Sequence, residues 1–182
     1  MKKKLLIISG PSVVGKGTVL KEVLKNSKDT KYSISCTTRS PRQGEENGKH
    51  YFFLSKEDFA KEIEEGNFLE WTEFSGNCYG TSKTLVNKML NEGFNVILEI
   101  ETDGAMQVKQ KVPECIMIFI APPSVEELEK RLRGRNTETE EAIQKRLAMV
   151  KLELKRSENY DYIVVNDEVD KAAKRILEII NA

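Results

Sequence analysis

The chain reads Gly10-Pro11-Ser12-Val13-Val14-Gly15-Lys16-Gly17-Thr18 directly after its first apolar run, at 5–8. This segment satisfies the pattern G-x-x-x-x-G-K, although Gly17 stands where the strict form has serine or threonine. Between a strand and a helix, such a turn lets backbone N–H groups converge on phosphates while a lysine supplies positive charge. The segment therefore predicts a phosphate-binding loop (P-loop) with Lys16 as its cation. A glycine-rich turn without a ligand is the alternative.

Apolar or β-branched runs recur along the chain, and segments of helical periodicity separate most of them. The runs lie at 5–8, 33–35, 96–100, 116–120 and 162–165, and the predicted helices at 15–26, 56–65, 82–92, 124–133, 137–157 and 168–180. This alternation predicts an α/β protein, a three-layer P-loop fold with a mostly parallel, buried central sheet. Ser124 with Glu127, and Thr137 with Glu140, have the spacing of capping boxes that begin helices.

Two regions depart from this alternation. Residues 35–81 are rich in glycine and contain strand-like segments at 50–54 and 68–74, which predict a small β-rich insertion. Residues 124–156 are dense in arginine and glutamate and carry Gly134 between two helices, which predicts a mobile helical flap. Because the chain has no repeats and no Pro/Ser-rich linker, we assign both regions to a single domain.

Charge and composition limit the classes of function. The 29 lysines and arginines balance the 29 aspartates and glutamates, which argues against non-specific binding to nucleic acid or to an acidic membrane. The longest apolar run, 115–121, is far shorter than the roughly 20 residues of a membrane-spanning helix. Three cysteines without a CxxC spacing indicate neither a disulfide framework nor a zinc site. We therefore expect a cytoplasmic protein.

The insertion contains a candidate second phosphate site. Arg39 and Arg42 are three residues apart in a segment stiffened by Pro41, and paired guanidinium groups suit a phosphate. The hydroxyls of Tyr51 and Tyr79 are candidate donors to the same anion. Solvated surface arginines are the alternative. A second phosphate site beside a P-loop indicates a phosphorylated acceptor, which is already anionic near neutral pH and needs no general base.

A series of motifs runs in order from Gly10 to Asp167 and covers nearly the whole chain. After the phosphate loop come Thr37-Thr38-Arg39-Ser40-Pro41-Arg42, Gly44-Glu45, Tyr51-Phe52-Phe53, Glu70-Trp71, Tyr79-Gly80-Thr81, Leu98-Glu99-Ile100-Glu101, the arginines of the flap and Val165-Asn166-Asp167. Together these motifs resemble the guanylate kinase family. The resemblance implies a P-loop nucleoside monophosphate kinase that converts ATP and GMP to ADP and GDP with Mg2+.

The resemblance also implies roles for individual residues. The implied GMP contacts are Ser35, Arg39, Arg42, Glu45, Tyr51, Glu70, Tyr79, Thr81 and Glu101. ATP would bind the loop residues Gly10, Pro11, Ser12, Val13, Val14, Gly15, Lys16, Gly17 and Thr18, with Asn166 near the adenine. The implied catalytic residues, which would hold the triphosphate and the transferring group, are Lys16, Arg131, Arg135 and Arg146. Thr18 and Glu99 are the candidate metal ligands, directly or through water.

In the same way, the resemblance implies a core of residues 1–34, 83–123 and 157–182, a GMP-binding region of 35–82 and a lid of 124–156. Two departures from the family's pattern affect the loop and the metal ligands. Val13 replaces a glycine that is often seen in the loop, and Glu99-Ile100-Glu101 stands where aspartates often occur.

The chemistry of guanine supports Glu70 as the residue that reads the base. Guanine presents N1–H and a 2-amino group side by side, which one carboxylate accepts together, whereas adenine has an unprotonated N1 that repels it. Glu70 is a lone charge within Phe68-Leu69-Glu70-Trp71, and a solvated carboxylate on an edge strand is the alternative.

For Arg133 and Arg156 of the flap, we expect ordinary pairing with nearby glutamates.

Two other functions remain open. A guanylate-kinase-like binding module would keep the fold without turnover, and the retained Lys16 and flap arginines argue against it. A kinase for another nucleoside monophosphate is the second alternative, for which Glu70 and the pair Arg39 and Arg42 are the discriminating features.

Overall fold

The structure of this chain is a computed structural model that describes residues 3–134 and 139–182. The strands are β1 (Leu5–Ser9), β2 (Thr30–Tyr32), β3 (Cys36–Thr37), β4 (Phe52–Phe53), β5 (Phe68–Phe74), β6 (Asn77–Ser82), β7 (Asn95–Glu99), β8 (Ile116–Ala121) and β9 (Tyr162–Val165). The helices are α1 (Lys16–Lys25), α2 (Lys56–Glu64), α3 (Lys83–Asn91), α4 (Thr102–Lys111), α5 (Val125–Gly134), α6 (Glu140–Arg156) and α7 (Val169–Asn181).

The chain divides into two compact units. The first unit comprises the described residues up to Leu6 with Asp29–Cys115, and the second comprises Ile7–Lys28 with the described residues of Ile116–Ala182. In the larger sheet the strand order is β2-β7-β1-β8-β9, and β2 pairs with β7, and β8 with β9, in parallel. The predicted α/β class with a mostly parallel sheet is thereby confirmed.

In the first unit, the predicted β-rich insertion is a smaller sheet of order β4-β3-β6-β5. The pairs β3–β6 and β5–β6 are antiparallel, whereas β3 and β4 are parallel. Helix α2 packs Phe59 against Phe68, with ring centroids 4.5 Å apart, beside the buried Cys36. These apolar side chains give the insertion a core of its own, which holds β5 and β6 in place.

In the second unit, α1 packs against α7, which buries Ala172, Ala173, Ile176, Ile179 and Ile180 along one face. Helices α5 and α6 pack through a separate apolar cluster of Leu132, Ile143 and Leu147. Among the helices that the structure describes, none combines the length and the hydropathy needed to span a membrane.

The structure differs from the sequence predictions at a predicted strand and at helix α4, and it also contains strands β3 and β6, which the sequence pattern does not predict. The strand predicted at 33–35 is wrong, because β2 ends at Tyr32, although the Ser33 N–H still donates to the Ile97 carbonyl oxygen at 2.9 Å. Helix α4 is not predicted by the sequence pattern, because Thr102-Asp103-Gly104 in its first turn are poor helix formers.

Of the two predicted helix caps, the structure shows the one at Ser124, whereas α6 is capped by a different residue. The Ser124 hydroxyl accepts from the N–H of Glu127 at 3.0 Å, as expected for a cap of α5. Helix α6 begins at Glu140, and the hydroxyl that caps it belongs to Thr139. Thr137, where the sequence predicts this helix to begin, lies outside the described residues.

Candidate active site

The glycine-rich loop leads from the buried strand β1 into helix α1. Gly10 lies so close to β8 that an added Cβ would be 2.3 Å from the Ile120 carbonyl oxygen, so only glycine fits there. Gly15 is the N-cap residue of α1, at φ 89, and no side chain caps the helix. The N-terminus of α1 therefore presents backbone N–H groups and the positive end of the helix dipole, an arrangement that binds phosphate.

Lys16 is the first residue of α1 and folds back over the loop. Its Nζ donates to the Gly10 carbonyl oxygen at 2.5 Å and to the Pro11 carbonyl oxygen at 3.2 Å. The loop carbonyls therefore hold the ammonium group beside the phosphate-binding turn. Gly17 and Thr18, the next two residues, are exposed, and Thr18 supplies a hydroxyl one residue after the usual position.

Asn166 fixes the loop from the end of β9. It is only 5% exposed, and its Nδ2 donates to the Val14 carbonyl oxygen at 2.7 Å. Its Oδ1 is buried and has no hydrogen-bond partner among residues 3–134 and 139–182. Because buried acceptors in proteins are nearly always paired, this oxygen is suited to accept from an N–H group of a ligand.

Val13 adopts a backbone conformation that is unusual for its type. Its φ is 75, in the left-handed region that a β-branched residue rarely enters. Its side chain packs against the apolar cluster of Leu132, Ile143 and Leu147 between α5 and α6. The valine side chain, at a position where the family often has glycine, therefore connects the phosphate loop to the two helices of the predicted lid.

The arginines of the predicted lid are in different environments. Arg131 is half-buried on α5, and its Nε lies 3.7 Å from Glu127 Oε1, which is a loose ion pair. Arg146 is half-buried on α6. Arg135 lies outside the described residues.

Arg133 forms the ordinary ion pairs that its sequence context predicts. Its Nε donates to Glu129 Oε1 at 2.9 Å, and its Nη2 donates to Glu140 Oε1 at 2.8 Å. The hydrogen bond from Arg133 holds the pKa of Glu140 at about 2. The expected pairing of Arg133 with glutamates is thereby confirmed, and one of these glutamates, Glu140, lies on α6.

In the first unit, Glu70 on β5 and Thr81 on β6 form a buried pair. Glu70 is 4% exposed, and the Thr81 hydroxyl donates to its Oε1 at 2.6 Å. Burial raises the pKa of Glu70 above its usual value, and the hydrogen bond from Thr81 acts in the opposite direction. A buried charge is unfavourable unless hydrogen bonds compensate it, so this carboxylate is suited to accept further donors from a ligand.

Five of the predicted acceptor residues come together around the ion pair of Arg39 and Glu45. Arg39 donates from Nη1 and Nη2 to the two carboxylate oxygens of Glu45, at 3.0 and 2.9 Å. These bonds, with one from the Arg42 N–H at 2.8 Å, lower the pKa of Glu45 to about 2. The Arg39 guanidinium lies 5.4 Å from the Tyr51 ring centroid, and Tyr51 packs edge-on against Tyr79. The structure thus places a fixed cation beside two phenols.

The remaining predicted residues of the first unit differ in exposure. Ser35 is half-buried, and its carbonyl oxygen accepts from the Phe52 N–H at 2.9 Å. Arg42 is exposed, and so is Glu101, the N-cap residue of α4, which makes no capping hydrogen bond through its side chain. Glu99 ends β7, where its Oε2 accepts from the Tyr32 hydroxyl at 3.4 Å.

Sequence reasoning missed two residues of α4 that contact the segment around Glu70. An added Cβ at Gly104 would lie 2.8 Å from Glu70 Oε2. Gln107 accepts from the Trp71 N–H and donates to the Trp71 carbonyl oxygen, both at 3.2 Å. No local pattern indicates these contacts, because they join segments more than 30 residues apart and α4 itself is not predicted.

The matches to known families cover nearly the whole chain. A sequence model described as "Guanylate kinase" matches residues 2–182. A "Guanylate kinase" of Prochlorococcus marinus (strain MIT 9312) is 51% identical over 178 residues, which are 98% of this chain and 97% of the relative. A "Guanylate kinase" of Desulfitobacterium hafniense (strain Y51) is 49% identical over 98% of this chain and 89% of the relative.

Solved structures give the same result for the fold. The crystal structure of guanylate kinase from Anaplasma phagocytophilum is similar to this chain with a TM-score of 0.76 and 32% identity, covering 98% of this chain and 85% of that one. Shikimate kinase from Bacteroides thetaiotaomicron is similar with a TM-score of 0.51 and 15% identity, over 98% and 99% of the two chains. The second likeness concerns the fold alone.

Proposed function

Because this chain belongs to the guanylate kinase family, it is a phosphotransferase, and we propose that it transfers the γ-phosphate of ATP to GMP. The products are ADP and GDP. The observation that carries the assignment of the acceptor is the buried pair of Glu70 and Thr81 in the first unit.

We propose that Glu70 and Thr81 recognise the guanine base. The Glu70 carboxylate accepts guanine N1–H and the 2-amino group, while the Thr81 hydroxyl orients the carboxylate through Oε1. Because the site is desolvated, each charge-assisted hydrogen bond there contributes more than it would in water. Adenine lacks this pair of donors, so AMP is expected to be a poor acceptor. Ser35 and Glu101 are proposed as further contacts of the nucleoside.

We propose that the phosphate of GMP is bound by Arg39, Arg42, Tyr51 and Tyr79. The ion pair with Glu45 holds the Arg39 guanidinium in a fixed orientation and leaves it further N–H donors for the phosphate oxygens. The two phenol hydroxyls are suited to donate to the same anion. Since the phosphate of GMP is already ionised near neutral pH, its oxygen attacks without the help of a general base.

For ATP, we propose that the loop 10–18 binds the phosphates through its backbone N–H groups. Lys16 is released from the loop carbonyls to the β- and γ-phosphates, and the Asn166 Oδ1 accepts from the adenine amino group. Arg131, Arg135 and Arg146 neutralise the charge that develops on the transferring group. Catalysis then consists of positioning and electrostatic stabilisation, with no covalent intermediate on the protein.

We propose Mg2+ as the cofactor, bound together with the phosphates of ATP. Magnesium typically keeps several waters and takes one or two protein oxygens. The exposed hydroxyl of Thr18 and the carboxylate of Glu99 have the right chemistry, directly or through water. When bound, the ion neutralises negative charge on the phosphates.

We propose the division into a core (1–34, 83–123 and 157–182), a GMP-binding region (35–82) and a lid (124–156). The arginines of the lid and the insertion that contains Arg39 and Glu70 support this division. We also propose that the protein acts in the cytoplasm on small molecules and not on nucleic acid. Its three free cysteines and its balanced charge support this proposal.

The decisive test is turnover with a panel of acceptors. ADP release is measured with ATP, Mg2+ and each of GMP, AMP, CMP, UMP and dTMP. We expect kcat/KM for GMP to exceed the others by a factor on the order of 10³ or more, because no other base in the panel presents two adjacent N–H donors to the buried carboxylate. Preference for another nucleotide would indicate a different monophosphate kinase, and binding of GMP without turnover would indicate a non-catalytic module.

A further inference from the structure

Gly104 is buried in the first turn of α4, where the backbone does not require glycine. It is not among the residues with positive φ, and glycine is the least favourable residue for a helix interior after proline. The reason for glycine is instead the space around it. An added Cβ would lie 2.8 Å from Glu70 Oε2, 3.3 Å from Glu70 Cδ and 3.5 Å from Glu70 Cγ.

We propose that Gly104 is a positioning residue for guanine recognition, because the absence of its side chain lets the Glu70 carboxylate lie directly against α4. In this position Glu70 Oε1 accepts from Thr81, and the carboxylate keeps one orientation toward the two donors of guanine. The inference rests on the proposed function, in which Glu70 reads the base. Gly104 does not touch GMP in this proposal, and it affects binding of the base only through the position of Glu70.

The carboxylate has little freedom to avoid a methyl group at position 104. A distance of 2.8 Å is well inside ordinary van der Waals contact, so the Glu70 oxygen would have to shift by roughly half an ångström. The buried Glu70 is tied to Thr81 by a 2.6 Å hydrogen bond, so the shift either lengthens that bond or rotates the carboxylate. In both cases one of the two hydrogen bonds to guanine loses its geometry.

Helix α4 is also prevented from moving away. The side-chain amide of Gln107, one turn after Gly104, makes two hydrogen bonds of 3.2 Å with the backbone of Trp71. Trp71 directly follows Glu70 on β5, so these bonds fix the helix to the strand beside the carboxylate. The atom that yields is therefore the end of the Glu70 side chain, which affects the ligand more than the fold.

The test compares Gly104→Ala with Gln110→Ala, an exposed position on the same helix. For G104A we expect the KM for GMP to rise about tenfold, since a small misplacement of a recognition group is costly. The KM for ATP and the kcat at saturating GMP should each stay within about twofold of wild type, and the Tm should change by no more than about 3 °C. The Q110A variant should match wild type in all of these measurements. A normal KM for GMP in folded G104A would overturn the proposal.

A double-mutant cycle with Glu70→Ala separates this proposal from the proposed function. Removing the carboxylate also removes the steric conflict, so adding G104A to E70A should change the KM for GMP by less than about twofold. An equal rise in both backgrounds would show that Gly104 does not act through Glu70. A normal KM for GMP in E70A would overturn both the base-reading role of Glu70 and the positioning role of Gly104. If the KM for GMP rises in E70A but is normal in G104A, only the positioning role of Gly104 is overturned.

The cycle also covers the case in which G104A does not fold. E70A/G104A should then fold, because the atoms that collide with the added methyl group are gone. Recovery of folding in the double variant would support the contact. Failure of both variants to fold would overturn the proposal.

Discussion

Replacing Val13 by alanine and by glycine tests whether packing holds this residue in an unfavourable backbone conformation. At φ 75, any residue with a side chain costs about 1–2 kcal/mol, and glycine avoids this cost. Alanine keeps the cost and loses the methyl groups that pack against Leu132, Ile143 and Leu147, at about 1 kcal/mol for a half-buried valine. V13A should therefore be about 1 kcal/mol less stable than wild type.

The glycine variant should be the more stable of the two. It loses the same packing and gains flexibility in the unfolded chain, worth about 0.5–1 kcal/mol, but it is relieved of the backbone cost. We expect V13G to exceed V13A by about 0.5 kcal/mol or more in the free energy of unfolding, measured by urea denaturation.

Val125 provides the control for this order, because it packs on the same cluster from the first residue of α5, where φ is not positive. There the alanine variant should be more stable than the glycine variant, as helix propensity requires. If V13G proved less stable than V13A, in the order expected at Val125, the strain at Val13 would be disproved.

Two further predictions concern Lys16 and Glu70. Lys16→Ala should lower kcat by about 10²-fold or more with little change in Tm. Lys21→Ala, at an exposed position of the same helix, should leave kcat near wild type. Near-normal turnover in folded K16A would refute the role of Lys16. Because burial raises the pKa of Glu70 in the folded protein, its contribution to stability is present below its unfolded pKa of about 4.3 and is lost as the pH rises through the folded value. The free energy of unfolding of Glu70→Gln should therefore increase relative to wild type above about pH 4.3, and a pH-independent difference would contradict the raised pKa.

The phosphate loop could be predicted from sequence because its geometry is local. Gly10, Gly15 and Lys16 are constrained by the strand before them and the helix after them, and both elements have clear apolar periodicity. The contact between Asn166 and Val14 joins residues far apart in the chain, and only the fold shows it.

The acceptor site was less accessible to sequence reasoning. A lone charge in an apolar run indicates that Glu70 has a function, but its pairing with Thr81 depends on the register of β5 and β6. That register shifts between Phe68 and Glu70, and β6 contains Asn77 and Gly80, which are typical of turns rather than strands. A shift of one residue would turn Glu70 to the other face of the sheet.

Gly104 shows the limit of local patterns most clearly. Within its own segment the glycine only weakens the helical signal, which is why α4 is not predicted. The reason for glycine becomes visible only when Glu70, on strand β5 of the smaller sheet, is placed against it.

Selection of guanine by the buried Glu70 carboxylate is tested by comparing kcat/KM for GMP and for AMP between wild type and Glu70→Gln. The Thr81 hydroxyl is expected to keep the amide oxygen of the glutamine, which leaves an N–H group facing the donors of guanine. Losing a charge-assisted hydrogen bond in this desolvated site should cost about 2–3 kcal/mol, or about 30- to 150-fold in kcat/KM for GMP.

The loss should be much smaller for AMP, because adenine makes no use of the carboxylate. Glu73→Gln, an exposed change on the same strand, should retain the GMP to AMP ratio of wild type. A fall of this ratio in E70Q alone is the predicted result. An unchanged ratio in folded E70Q would contradict the claim that Glu70 reads the base.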